Sequence, residues 1–138
     1  MTTIALRFPG RGSILEVNLV EGKKFTIGRS SEADLKLSSA PGYVSRKHGE
    51  LKMVDGELYY EDVSKNGSII RRDFNSAERT IGIFKGEITP FEIEDLARFI
   101  LGANNSVCLE RNDQIFLGGH SEAQFSGAYG PIIVEAIY

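Results

Sequence analysis

The chain has one cysteine, Cys108, and two histidines, His48 and His120. A lone cysteine excludes an internal disulfide and fits a reducing compartment. The three residues are far apart in sequence, so no Cys/His zinc cluster is offered and no metal is expected. Long hydrophobic runs are also missing, and none approaches the roughly 20 residues that span a bilayer. The first residues, MTTIALRFPGRG, lack the charged stretch and long apolar run of a signal peptide. These absences predict a cytoplasmic protein with no membrane partner. Nor is there a large excess of either charge. The net charge of −3 argues against bulk nucleic-acid binding. Internal repeats and low-complexity tracts are absent as well.

What is present is an ordinary globular composition, 41% hydrophobic and 25% charged over 138 residues. That length is enough for a single domain, 1–138, with its own core. Short apolar runs bounded by turns predict strands at Leu6–Phe8, Ile14–Leu19, Phe25–Gly28, Leu35–Leu37, Leu51–Val54, Leu58–Asp62, Ser68–Ile70, Val107–Leu109, Gln114–Leu117 and Ile132–Ile137. Asp55-Gly56 is a strong hairpin signal between two of them. Many short strands at close spacing predict an all-β fold, an antiparallel β-sandwich of about 10–11 strands. One segment departs from this pattern. Thr89-Pro90-Phe91-Glu92 reads as a capping box with proline at the first helical position. Ile93, Leu96, Ala97 and Ile100 follow at helical spacing. The reading is one amphipathic helix over Pro90–Leu101.

The charge is distributed unevenly. From Lys23 to Arg72 there are ten Lys/Arg against seven Asp/Glu, and from Asp73 to Tyr138 four against ten. Three strings lie in the basic half: GRSSEADLKL from Gly28, SRKHGEL from Ser45, and KNGS from Lys65 to Ser68. Arg29 presents a planar guanidinium at a strand end, suited to two parallel bonds to a phosphate. Ser45 offers a hydroxyl and a backbone N–H, with Arg46 and Lys47 beside it. His48 can hold that loop by a side-chain bond to the backbone. Asn66 has the donor and acceptor needed to grip an extended peptide, and Gly67 allows a positive φ. Taken singly, each string has a plainer reading. Gly28-Arg29 is then a strand exit, His48 a structural histidine, Asn66-Gly67 a hairpin turn, and the uneven charge surface scatter.

In this order and at these spacings the three strings resemble the forkhead-associated (FHA) domain family. Asp34-Leu35 and NDQIFLGG, Asn112 to Gly119, extend the resemblance over nearly the whole chain. The resemblance implies a phosphopeptide-binding module that recognises phosphothreonine in partner proteins, in concert with a Ser/Thr protein kinase, and needs no cofactor. Carried over residue by residue, it implies that Arg29 and Ser45 contact phosphate, with Lys47 as an auxiliary contact. Asn66 would hold the peptide main chain, and Gly28, His48 and Gly67 would shape the loops. Two departures stand out. The family usually has threonine after Asn-Gly, where this chain has Ser68. It also usually has a short hairpin where this chain carries a longer insertion, at about 71–106. Two rival readings remain. One is an FHA-like scaffold with an idle pocket that binds a partner through the insertion. The other is an enzyme using Ser45 and His48 as nucleophile and base, against which stand the missing G-x-S-x-G elbow and the lack of a third orienting residue.

Overall fold

The computed structural model describes residues 2–8, 14–74, 77–84, 87–90, 106–118 and 129–138. Among these residues there are only strands and turns. The strands are β1 (Thr2–Arg7), β2 (Leu15–Leu19), β3 (Lys24–Gly28), β4 (Leu35–Lys36), β5 (Gly49–Val54), β6 (Glu57–Asp62), β7 (Ser68–Phe74), β8 (Ala77–Phe84), β9 (Glu87–Pro90), β10 (Val107–Cys108), β11 (Gln114–Leu117) and β12 (Tyr129–Ile137). They form two sheets. One has the order β2-β1-β12-β11-β7-β8-β9 and the other β10-β6-β5-β3-β4. Pairing is antiparallel except for the short parallel contact of β3 with β4.

Alternation along the strands builds the core. Ile4 and Leu6 of β1, Ile70 of β7, Ile81 and Ile83 of β8, Ile115 and Leu117 of β11, and Ile132 and Val134 of β12 come from the larger sheet. Ile27, Leu51, Met53, Leu58 and Tyr60 come from the smaller one. The residues between them lie on the opposite face of their sheet, as the two-residue period of a strand requires, and Ala5 and Phe116 are buried there too. Burying each large aliphatic side chain contributes about 1.5–3 kcal/mol.

Three expectations need correction. The first strand starts at Thr2 rather than Leu6, because Thr2–Leu6 finds a complete antiparallel partner in β2. The segment from Ser68 to Pro90 is a three-stranded meander, so β7 runs on to Phe74 where the sequence suggested a break after Ile70. Thr89 and Pro90 lie in β9, opposite Gly82 and Ile81, and are not a helix start. Among the described residues β9 is the edge strand of its sheet, a position where proline is tolerated when its nitrogen faces away from the neighbouring strand. The rest of the expected helix, 91–101, lies outside the described residues.

Asn66-Gly67 is also not a hairpin turn. Strands β6 and β7 belong to different sheets, and residues 63–67 carry the chain across the sandwich edge between them.

Candidate functional site

Four chain segments meet at one end of the sandwich: the exit of β3, the loop before β5, the 63–67 crossing and the end of β11. Backbone bonds join them. Arg29 N donates to Ser45 O at 3.2 Å, Ser30 N to Arg46 O at 3.0 Å, Val63 N to His48 O at 3.0 Å and Gly118 N to Gly67 O at 2.7 Å. The close approach requires Gly28. A Cβ there would stand 2.0 Å from the Arg46 carbonyl oxygen, inside any tolerable contact. Gly67 has φ 80, in the left-handed region that glycine enters without strain.

His48 is fully buried. Its Nδ1 accepts a bond from Ser45 N at 2.9 Å. That nitrogen therefore carries the lone pair, and Nε2–H donates to Gly67 O at 2.7 Å. The ring thus ties the loop before β5 to the 63–67 crossing, and it is neutral. Burial lowers its pKa to about 4, only partly offset by the bond to Gly67. Both ring nitrogens are taken by backbone groups, so the ring is not a base for the Ser45 hydroxyl. The same bond engages the Ser45 backbone N–H, which the sequence had suggested was on offer.

This arrangement has a consequence for pH. The folded-state proton affinity of His48 lies below its ordinary value of 6.5. The unfolded chain therefore takes up the proton first as pH falls. The contribution of His48 is fully present above about pH 6.5 and is lost towards pH 4, a change of about 3 kcal/mol. Urea unfolding at pH 7, 5.5 and 4 measures it. A His48→Gln variant is expected to be less stable at pH 7 but to show a shallower decline. Equal slopes for the two proteins would refute the assignment.

The candidate ligand-facing groups are held by their neighbours. Arg29 Nε donates to Val44 O, which aims the guanidinium and leaves its two terminal nitrogens unengaged among the described residues. Ser45 Oγ accepts from Lys65 N at 2.9 Å, so its own proton is left to donate. Asn66 Nδ2 donates to Tyr43 O at 2.8 Å, leaving Oδ1 without a partner among the described residues. Lys47 is exposed beside them. The sequence reading passed over Tyr43, Val44 and Lys65. They act here through the backbone, which a reading of side-chain types does not register.

Behind these groups is a buried hydroxyl chain. Ser68 Oγ donates to Asp62 Oδ1 at 2.8 Å and accepts from Tyr60 OH at 2.6 Å. Ser64 Oγ donates to the same carboxylate oxygen at 2.6 Å and accepts Gly67 N at 2.7 Å. The residue after Asn66-Gly67 thus uses its hydroxyl to anchor the crossing to both sheets, and serine provides that hydroxyl as threonine would.

The fold and this loop cluster define a β-sandwich with a set of preorganised polar groups at one end. Residues 25–82 match the family model of the FHA domain. Solved FHA domains share the fold. The N-terminal FHA domain from S. cerevisiae Rad53p, in complex with a phosphothreonine peptide, is 19% identical with a TM-score of 0.57, covering 96% of this chain and 93% of that one. The FhaA FHA domain, complexed with the intracellular domain of Rv3910, is 22% identical with a TM-score of 0.51 and 100% coverage of both chains. FHA-1 of Mycobacterium tuberculosis Rv1747 is 17% identical with a TM-score of 0.54, covering 98% of each. No curated protein matches the sequence.

Proposed function

We propose that this chain is a phosphothreonine-binding module that joins its partner proteins when a Ser/Thr kinase has marked them. One observation carries the reading. The Arg29 terminal nitrogens, the Ser45 hydroxyl proton and the Asn66 carboxamide oxygen are held at one end of the sandwich, each with unused bonding capacity. A phosphothreonine brings close to two negative charges and three acceptor oxygens to such a set. Arg29 and Ser45 take the phosphate, Lys47 adds charge, and the Asn66 oxygen accepts a peptide N–H. Gly28, His48 and Gly67 keep the loops in place. The same geometry disfavours catalysis by Ser45 and His48, whose side chains are each bonded to backbone and not to each other.

A phosphothreonine peptide library with its unphosphorylated twin tests the reading. Binding is expected only with phosphate. Phosphoserine versions should bind more weakly, since burying the threonine methyl is worth about 0.8 kcal/mol. Equal binding of the unphosphorylated twin would instead favour a scaffold with an idle pocket.

A further inference from the structure

The pocket end carries more positive charge than one phosphate can neutralise. Arg29, Arg46, Lys47 and Lys65 all lie on its loops, and the last three are exposed. Among the described residues none of the four has a carboxylate within ion-pair distance. Glu32, on the loop after Arg29, is exposed and lies within ion-pair distance of none of them, while two other nearby acids are committed elsewhere. Asp34 accepts from Thr26 N at 2.8 Å, and Asp62 is buried with the hydroxyls of Ser64 and Ser68. Arg46 and Lys65 also both adjoin Ser45, one along the chain and the other through a backbone bond. Arg46 follows Ser45 in the chain and anchors Ser30 through its carbonyl. Lys65 reaches Ser45 Oγ across the gap through its backbone N–H and precedes Asn66. Both fix their backbones inward and leave their side chains in solvent.

We infer that Arg46 and Lys65 read a second anionic group within a few residues of the phosphothreonine, so that the preferred ligand is an acidic or doubly phosphorylated segment. The inference rests on the phosphothreonine reading above. A phosphate of about −2 is balanced by Arg29 and one further cation. Two cations then remain against solvent, and each gains from a second anion by the modest amount of an exposed pair, screened by salt.

Calorimetric titration of the 138-residue chain tests this with phosphothreonine peptides that differ at one position, two residues before or after the phosphothreonine. That position is alanine, aspartate or phosphoserine. Aspartate is expected to tighten binding about threefold and phosphoserine about tenfold at low salt, with most of the gain lost at high salt. In Arg46→Gln/Lys65→Gln the gain should vanish while the alanine peptide binds within about threefold of its wild-type affinity. In Arg46→Glu/Lys65→Glu the second anion should weaken binding. A gain with phosphoserine alone identifies a doubly phosphorylated ligand, and a gain with both identifies an acidic one. If the alanine peptide binds and neither anion tightens it, or if the gain survives in the glutamine variant, the inference is overturned and the phosphothreonine reading stands. If no phosphothreonine peptide binds the wild type, both fall.

Discussion

Replacing Arg29 by alanine is expected to weaken phosphothreonine-peptide binding by about 100-fold or more, with the fold intact. Each hydrogen bond from a charged donor is worth about 1.5–3 kcal/mol, and two parallel ones to a phosphate exceed the ~2.7 kcal/mol of a hundredfold change. The Nε bond to Val44 O holds the guanidinium in place before ligand arrives, so little side-chain entropy is lost on binding. The fold survives because Arg29 N still donates to Ser45 O, and that bond does not involve the side chain. Arg29→Lys is expected to recover little, since an ammonium can neither bond Val44 O in the same place nor present a fork. Titration against one phosphothreonine peptide, with circular dichroism as a control on folding, decides the matter. Wild-type affinity in the alanine variant would place the site elsewhere.

The largest loss of stability is expected far from the pocket, at Asp113. This carboxylate is fully buried. It accepts Arg72 Nε at 2.8 Å, Arg72 Nη2 at 2.6 Å and Glu110 N at 2.8 Å. Arg72 also donates to Cys108 O at 2.9 Å. Burial alone would lower the Arg72 pKa, but the Asp113 carboxylate more than offsets it and the net shift is upward. Asp113→Ala leaves a buried guanidinium facing a cavity and is expected to cost about 3–5 kcal/mol. Urea unfolding measures the loss. The double variant Asp113→Leu/Arg72→Met should recover most of it, because removing both charges removes their desolvation penalty. A single-variant loss below about 1 kcal/mol would show that the pair is not desolvated as the geometry indicates.

Local chemistry made much of this molecule legible in advance. Asp55-Gly56 specifies its own turn. Both residues take positive φ, 51 and 81, and the β5–β6 register follows directly from it. The strands β2, β3 and β11 were readable because each is a short, largely apolar run bounded by glycine, a turn or a charge. The three strings around Gly28, Ser45 and Asn66 were also legible, since their residue types already state a capacity to bond phosphate and peptide.

Tertiary structure decided the rest. Whether β7 stops at Ile70 or continues to Phe74 depends on its pairing with β8, which the residue types of β7 alone do not announce. Thr89 and Pro90 have the residue types of a helix start, yet an open sheet edge beside β8 takes them as strand. Asn66-Gly67 looks like a hairpin turn by itself and becomes a crossing only because β6 and β7 join different sheets. Asp113 meets Arg72 across 41 positions, a separation over which residue types alone carry no partner information. Local conformational preference is a property of neighbouring residues and can be read from them. The choice of partner is settled by the free energy of the whole packed sandwich, and so appears only once the chain has folded.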